Sequence, residues 1–405
     1  MIEGAPIDVA VIGGGPAGLA AATALKAAGI ARVLVLEREA KAGGIPRHCG
    51  HPPFGMREFK RVLRGPDYAA RLVARALAAG VEIHAMATVV EARPHGVLSL
   101  SLPTGMQEIS AKRVIYATGV RETPRSQRMI SGARVQGVLN TGALQSTVFL
   151  KGKRPFRRPI IVGSELVAMS ALLTCRHARI KPVAMVEARE KVVARWPSGA
   201  FPKLMRVPLY LGTALAEIHG GKTVEAVTLQ RPDGSKRQVE CDGVILSGDF
   251  TPESALARMG HLKINPATQG PMVDQWGRCS DPVYFAAGNV LRPVETAGWS
   301  WAEGERCGRW VAKDLATGLP AGADTKICLS DSRLKYAMPQ KIAVGAGGMT
   351  DVQLRLTKPV KAKLVVRGDD QTIWQKNLNT STERRVLVPI APLQGHKKLD
   401  FSIEP

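Results

Sequence analysis

The sequence predicts an α/β fold, with two successive parallel-sheet units and a small all-β domain at the C-terminal end. Three observations carry this prediction. Short apolar runs alternate with helical stretches over residues 1–120, and the same succession restarts near residue 158. From residue 335 onward, apolar runs are separated by Gly, Pro, Asp and Asn turns. The first two observations are typical of parallel sheets, and the third of an all-β domain.

The first unit is predicted from its elements in chain order. The apolar and Ala-rich patterns predict strands and helices, and a later strand and helix return the chain to this unit. We therefore assign residues 1–125 and 270–322 to a first, discontinuous domain. The predicted strands are 7–12, 33–36, 81–85, 114–117 and 283–289, and the predicted helices are 16–28, 68–79 and 300–315.

The second unit repeats this order over residues 126–269. Strands are predicted at 158–163, 182–186 and 243–248, with a helix that ends at Arg176. Residues 335–405 read as a small β-sandwich because their apolar runs are short and regularly spaced. The strands predicted there are 342–344, 352–356, 362–366 and 385–388.

The chain carries a strong positive charge. Lys and Arg number 56 against 34 Asp and Glu, a net charge of +22, which attracts acidic surfaces, phosphorylated ligands or nucleic acid. Aromatic residues are only 5% of the chain and are not interleaved with Lys or Arg, so we expect no nucleic-acid platform. A solvated basic face or docking to an acidic partner subunit is favoured, and peripheral contact with the inner membrane is compatible with the charge.

The N-terminus and the cysteines indicate a reduced cytoplasmic protein. Residues 1–6 lead into the first strand without the basic, apolar and small-residue succession of a secretory signal. The six cysteines lie far apart, and none belongs to a C-x-x-C pair. We therefore expect no metal site and no iron–sulfur cluster in this chain.

A glycine motif follows the first predicted strand. Gly13, Gly15 and Gly18 form G-x-G-x-x-G between a strand and a helix, and Glu37 ends the next strand. The first glycine permits the tight turn, the second lets the backbone approach a pyrophosphate, and the third permits close helix–strand packing. The helix N-terminus would bind the phosphates, and Glu37 would accept hydrogen bonds from the ribose hydroxyls. Pro16 fits the first helical turn because it lacks an N–H.

Over residues 5–320 the sequence resembles the pyridine nucleotide–disulfide oxidoreductase family. The resemblance rests on the glycine motif, on the strand end Ala117-Thr118-Gly119, and on Gly288-Asn289, where the family usually has Gly-Asp. It implies two Rossmann-like domains of the glutathione reductase type and FAD in the first. The residues assigned to FAD on this basis are Gly13, Gly15, Pro16, Ala17, Gly18, Glu37, Arg38, Gly44, Arg47, Ala117, Thr118, Gly119, Gly288, Asn289, Thr296 and Ala297.

The corresponding motif of the second unit departs from the family pattern. Gly163 and Ala168 keep the first and third positions, but Glu165 replaces the middle glycine. Its side chain would occupy the space where pyrophosphate approaches the backbone, and its charge would repel it. We expect NAD(P)H to bind weakly or not at all, although a rearranged loop that still binds NAD remains an alternative.

Arg47-His48-Cys49-Gly50-His51 lies where disulfide reductases of the family carry their redox cysteines. A single cysteine excludes an internal dithiol, but family members with one cysteine cycle it through sulfenic acid or a mixed disulfide. His48 and His51 flank Cys49 and could lower its pKa. The favoured interpretation is that this segment only packs against the flavin ring, and the alternative is a catalytic Cys49.

The damaged second motif resembles one branch of the family, the α-type subunits of opine oxidase, hydrogen cyanide synthase and proline dehydrogenase complexes. The segment Asn140-Thr141-Gly142-Ala143-Leu144-Gln145 resembles those subunits too. The resemblance implies an electron-transferring FAD subunit whose partners are a Cys-rich iron–sulfur protein and a catalytic flavin subunit, as in glycerol-3-phosphate-dehydrogenase-like operons. The small-molecule substrate would be an amine, amino acid, opine or polyol phosphate. The alternatives are an independent NAD(P)H-dependent reductase or peroxidase that uses Cys49, and a non-catalytic structural or nucleotide-sensing subunit.

Overall fold

The computed structural model describes residues 2–194, 196–321, 325–343, 345, 347–380, 382 and 384–405. The chain forms two compact units. The first consists of Met1–Gly44, Ala69–Val120 and Pro252–Pro405, and the second of Ile45–Tyr68 and Arg121–Thr251. Each contains a parallel sheet with helices, which confirms the predicted α/β class.

A parallel sheet organises the first unit. Its central strand Ile7–Ile12 lies between Val33–Leu36 and Gly105–Tyr116 and runs parallel to both. Glu82–His84 extends the sheet on one side, and Tyr284–Ala286 pairs in parallel with Gly105–Tyr116. All four residues of Val33–Leu36 are buried, as expected for a strand covered on both faces. Thr88–Arg93 and Val97–Leu102 add an antiparallel extension.

Two helices of the first unit pack backbone to backbone. Helix Pro16–Ala27 begins directly after Gly15, and helix Ala297–Thr317 lies against it. A Cβ at Gly304 would lie 2.0 Å from the carbonyl oxygen of Ala17. Only glycine therefore permits this approach. The second helix starts three residues before the predicted position 300, because Thr296 provides the extended residue that precedes it.

The second unit repeats the strand–helix–strand order. Its strand Pro159–Val162 lies between Ala184–Val186 and Gly243–Leu246, again in parallel. Helix Leu166–His177 begins after Glu165. The remaining elements of this unit are the strands Ser131–Gly132, Val138–Asn140, Leu209–Tyr210, Ala214–His219, Ala226–Gln230 and Lys236–Glu240, and the helices Thr141–Gln145 and Phe201–Leu204.

The C-terminal part is all-β, as predicted. Its three-stranded sheet consists of Leu334–Met338, Asp351–Leu356 and Val386–Pro389. A four-stranded sheet shares one apolar core with it. That second sheet consists of Lys326–Leu329, Lys398–Glu404, Val360–Gly368 and Gln371–Thr380.

The strand predicted at 342–344 is wrong at its first two positions, and Val344 lies outside the described residues. Ile342 and Ala343 are buried, which explains their apolar character. Their backbone pairs with a side chain instead of a strand: Ala343 N–H donates to Oε1 of Gln275 at 2.6 Å, and Nε2 of Gln275 donates to the Ala343 carbonyl at 3.0 Å. A buried backbone thus meets its hydrogen-bonding requirement without a ladder.

The other elements are short. The helices are Gly65–Ala78 and Ala255–Met259, and the short strands Val120–Glu122 and Phe250–Pro252 form a two-stranded sheet. Single turns of 3-10 helix occur at Ile45–His48, Pro94–Gly96, Arg125–Arg128, Ser198–Ala200, Gly288–Val290 and Ala391–Leu393, with a π-turn at Ser146–Leu150. No helix in the described part of the chain combines the length and apolar character needed to cross a bilayer.

Gly304→Ala is expected to destabilise the first unit. Ala has a helix propensity about 1 kcal/mol better than Gly, but the overlap with a backbone carbonyl cannot be relieved by a side-chain rotation and costs more. Thermal unfolding should show a melting temperature several degrees lower. Gly221→Ala is the control, because the atom nearest to a Cβ there is Oε1 of Glu225 at 3.7 Å. Equal melting temperatures for the two variants would contradict the prediction.

Candidate functional site

The three glycines of the first motif have different structural roles. A Cβ at Gly13 would lie 2.6 Å from the carbonyl oxygen of Ala117, and one at Gly18 would lie 1.9 Å from the carbonyl oxygen of Gly13. At Gly15 the nearest atom to such a Cβ is the Cα of Gly44 at 3.9 Å. Packing therefore demands the first and third glycines, whereas the space in front of Gly15 is open to a ligand.

Glu37 is tied to the glycine motif. It is buried at the end of Val33–Leu36, and its Oε2 accepts a hydrogen bond from the N–H of Gly14 at 2.9 Å. Oε1 accepts from the N–H of Glu39, also at 2.9 Å. The neighbouring Arg38 is exposed and lies 4.0 Å from the carboxylate of Glu253. The carboxylate of Glu37 is thus fixed beside the loop, whereas the contact of Arg38 with Glu253 is a long surface ion pair, which contributes little to stability.

The strand end Ala117-Thr118-Gly119 forms a second open backbone face in this unit. Oγ1 of Thr118 donates to the carbonyl of Glu253 at 2.7 Å, and the N–H of Glu253 donates to the carbonyl of Gly119 at 2.9 Å. Gly119 has a φ of +76°, and no atom of the residues that the structure describes lies within 4 Å of the position of a Cβ there. The segment is therefore fixed from one side and open at Gly119.

Gly288 and Asn289 begin a closed loop before the long helix. Asn289 Nδ2 donates to the carbonyl of Glu295 at 2.9 Å, and its Oδ1 accepts from the N–H of Glu295 at 2.7 Å. The amide thus uses both functions of its head group. Thr296 precedes the helix, and Ala297 is its first residue.

Ser300 was missed by the sequence analysis. It lies in the first turn of the long helix and is buried, and its Oγ has no hydrogen-bond partner among the described residues. A Cβ at Gly288 would lie 3.9 Å from this oxygen. A serine in a helix carries no signal by itself, so only the folded structure identifies it as a free donor near the loop.

The first unit therefore fits the group that its sequence predicts. It has an open glycine backbone at a helix N-terminus and a fixed carboxylate at the end of the adjacent strand. At a second helix N-terminus it has a buried hydroxyl that pairs with none of the described residues. Helix N-termini favour anions. A dinucleotide with a diphosphate centre and hydroxyl-bearing ends matches these features.

Cys49 is buried in the second unit. Its Sγ donates weakly to the carbonyl of Ile45 and to Oε1 of Gln145, each at 3.4 Å. Burial, with a smaller contribution from the charge of Glu122, raises the pKa of Cys49 to about 12. A thiol that stays protonated is a poor nucleophile.

The histidines beside Cys49 differ. His51 Nδ1 lies 3.0 Å from the carbonyl oxygen of Pro52, and burial lowers the pKa of His51. Its ring centroid lies 5.6 Å from that of Phe54. His48 is half-buried, and its Cε1 lies 3.9 Å from the position of a Cβ at Gly142. Arg47 is half-buried in the turn Ile45–His48.

Glu122 is a second residue that the sequence analysis missed. Its side chain is buried, Oε2 accepts from the N–H of Gly142 at 2.7 Å, and Oε1 has no partner among the described residues. Burial raises the pKa of Glu122 to about 7. The Glu122 carboxyl is therefore suited to exchange a proton near neutral pH.

The glycine motif of the second unit is occupied by its own side chain. A Cβ at Gly163 would lie 2.7 Å from Oε2 of Glu165, and one at Gly248 would lie 3.0 to 3.2 Å from the three carboxyl atoms of Glu165. Ser247 Oγ donates to Oε1 of Glu165, and burial raises the pKa of this carboxyl. The carboxyl group thus fills the backbone cradle that is open around Gly15 in the first unit.

Comparison with known proteins identifies the family. A family model described as pyridine nucleotide-disulphide oxidoreductase matches residues 7–304. This match covers more than half of the chain, so the chain belongs to this family, and it confirms the resemblance drawn from the first glycine motif and the two strand ends.

Individual relatives are distant. One of the subunits of opine oxidase from Agrobacterium tumefaciens (strain Ach5) is 30% identical over 171 residues, which are 38% of this chain and 32% of the relative. The alpha subunit of sarcosine oxidase from Corynebacterium sp. (strain P-1) is 28% identical over 389 residues, or 90% of this chain and 36% of the relative. The chain thus spans about a third of the length of each of these relatives.

A solved structure supports the fold. Thioredoxin reductase of T. acidophilum superposes with a TM-score of 0.66 and 20% sequence identity, covering 77% of this chain and 99% of that chain. At this identity the likeness concerns the fold alone, and it confirms the two Rossmann-like domains.

Cys49 is expected to resist alkylation in the native protein. At pH 8 a pKa of about 12 leaves only about one thiol in ten thousand ionised, against about one in four for a free thiol, so iodoacetamide should modify Cys49 about a thousandfold more slowly than a free thiol. Peptide mass spectrometry after timed labelling measures the rate. The half-buried Cys328 is the internal control and should react first. Modification of Cys49 before Cys328 would contradict the prediction and favour a reactive thiol.

Proposed function

This chain belongs to the pyridine nucleotide-disulphide oxidoreductase family, and we propose that it is the electron-transferring FAD subunit of a multi-subunit dehydrogenase. One observation carries the proposal: the cradle around Gly15 is open, whereas the equivalent cradle of the second unit is filled by Glu165. One nucleotide site is retained and the other is lost. The substrate class is an amine, amino acid, opine or polyol phosphate.

The first unit would hold FAD through its own backbone. Gly15 and the start of helix Pro16–Ala27 would bind the diphosphate, and Glu37 would accept hydrogen bonds from the adenosine ribose. Gly288 and Asn289 would hold the ribityl chain, and the N-terminus of the helix that begins at Ala297 would stabilise negative charge on the flavin. When bound, FAD supplies a ring that accepts two electrons from a substrate and passes them on.

The second unit argues against a nicotinamide as the electron source. A diphosphate would have to displace the Glu165 carboxyl from Gly163 and Gly248 and break its hydrogen bond to Ser247. Until then the carboxyl occupies the space that the phosphates would take. Electrons would therefore reach the flavin from a substrate oxidised with the help of a partner.

The relatives and the charge favour such a partner. Two relatives are named as subunits, of opine oxidase and of sarcosine oxidase, which supports a multi-subunit assembly. The partners that we propose for it are a Cys-rich iron–sulfur protein and a catalytic flavin subunit. The net charge of +22 favours an acidic docking surface on one of them. We propose the cytoplasm as its location, with peripheral contact to the inner membrane.

The second candidate is an independent reductase or peroxidase that uses Cys49. The single cysteine in the segment where the family carries redox cysteines favours it, but the buried thiol with its raised pKa argues against it. The third candidate is a non-catalytic subunit in which the nucleotide only stabilises the fold. Photoreduction separates this one, since a bound flavin that never reduces or reoxidises in the complex would support it.

Gly15→Val is expected to abolish FAD binding without unfolding the protein. Space is available for the side chain, but it would fill the approach to the backbone. Purified wild-type protein should show the flavin absorption bands, and the variant should lose them while it melts at the same temperature as wild-type apoprotein stripped of FAD. Gly221→Val is the control and should keep the flavin. A wild-type chain that binds no FAD, or a variant that retains it, would overturn the proposed site.

Glu165→Gly is expected to create NADH binding. Removal of the carboxyl opens the cradle between Gly163 and Gly248, so the dissociation constant measured by fluorescence titration should fall at least about tenfold. Glu165→Gln separates charge from volume, because the amide still fills the space and should restore little affinity. Robust NAD(P)H oxidation by the wild-type chain alone with a simple acceptor would overturn the proposed subunit role.

A further inference from the structure

We propose that the three-stranded C-terminal sheet positions the flavin loop, with Arg355 and Arg385 as the positioning residues. The flavin loop is defined as residues 288–299, from Gly288 to the first turn of the long helix. The inference rests on the proposed FAD site and extends it, because it gives the all-β domain a role in holding the cofactor. No residue of this sheet belongs to either glycine motif.

The flavin loop is closed at one end by its own side chain. Asn289 bonds to both the N–H and the carbonyl of Glu295, which brings the two ends of a short segment together. This closure leaves the Glu295 carboxylate buried, with 9% of the residue exposed. A buried carboxylate needs charged or hydrogen-bonding partners.

The C-terminal sheet provides those partners. Arg355 donates from Nη2 to Oε1 of Glu295 at 2.7 Å, and Nε of Arg385 lies 3.5 Å from Oε2. The guanidinium carbon of Arg385 also lies 3.8 Å from the ring centroid of Trp299, a cation–π contact. Two arginines of the β domain therefore hold both ends of the segment between Glu295 and the helix.

A second set of contacts connects the same sheet to the start of the loop. Arg292 is fully buried, donates to the carbonyl of Gly288 at 3.3 Å and pairs with Glu303. Its Nη2 also donates to Oε1 of Gln353 at 3.0 Å. Gln353 and Arg355 are two residues apart on one strand, so their side chains lie on the same face of the sheet. The hydroxyl of Tyr336, on the adjacent strand, donates to the carbonyl of Pro293 at 3.2 Å.

The charges of this cluster favour an anionic ligand. Three guanidinium groups, of Arg292, Arg355 and Arg385, face two carboxylates, of Glu295 and Glu303. The excess positive charge lies at a helix N-terminus, which also favours negative charge. Removal of one arginine would leave a buried carboxylate partly unpaired beside the loop, loosen the loop and make the potential there more negative.

Arg355→Leu and Arg385→Leu in the full-length chain test the inference. Each should weaken FAD binding about tenfold or more, measured by titrating the apoprotein with FAD and following flavin fluorescence. The reduction potential of the retained flavin, measured by photoreduction with indicator dyes, should become more negative. Arg367→Leu is the matched control, because Arg367 pairs with Glu404 within the four-stranded sheet, and its FAD affinity should stay within about twofold of wild type.

The conservative variant Arg355→Lys keeps the charge and should recover most of the affinity and the potential, which a loss of folding alone would not predict. Melting temperature and far-ultraviolet circular dichroism accompany each variant. Wild-type affinity and potential in both Leu variants would overturn the inference and leave the FAD site standing. A wild-type chain without FAD affinity would instead overturn the proposed function, and this inference with it.

Discussion

Helix Pro16–Ala27 can begin directly behind the strand Ile7–Ile12 only because Gly18 has no side chain; a Cβ there would overlap the carbonyl oxygen of Gly13. This one contact sets where the unpaired N–H groups of the first helical turn lie. Glu37 is fixed against the same loop through the N–H of Gly14. Backbone packing therefore shapes the nucleotide site of the first unit, and the ligand is complementary to the surface that this packing leaves.

The second unit keeps the backbone packing of the glycine motif, but the space for a ligand in front of it is filled. Gly163 and the fully buried Ala168 preserve the turn and the helix approach, so the strand–helix–strand plan survives. The Glu165 carboxyl lies against this backbone surface and accepts a hydrogen bond from Ser247 Oγ. Burying an acid costs free energy, which the hydrogen bond offsets only in part, and the raised pKa of Glu165 expresses that cost. The glycine motif usually provides both a stable fold and an open site. The second unit keeps the stable fold without the open site.

How much the sequence could predict depended on the range of the interactions. The strands and the glycine motif follow from local patterns, so Ile7–Ile12, Val33–Leu36 and the long helix were found within a few residues. The strand expected at Ile342 failed because burial and β-pairing give the same apolar pattern, and only the distant Gln275 distinguishes them. Glu122 was missed for a related reason. Its raised pKa comes from burial, and the residues next to it in the sequence do not indicate that it is buried.

The match to the family ends at residue 304, yet the carboxylate of Glu295 inside it is neutralised by arginines that follow residue 350. Breaking such pairs in a buried setting costs about 3–5 kcal/mol. The boundary drawn by similarity therefore cuts through a cluster of buried ion pairs. A different C-terminal domain could replace the β domain only if it also placed cationic side chains against Glu295. The β domain and the loop are therefore exchangeable between proteins as a pair but not separately.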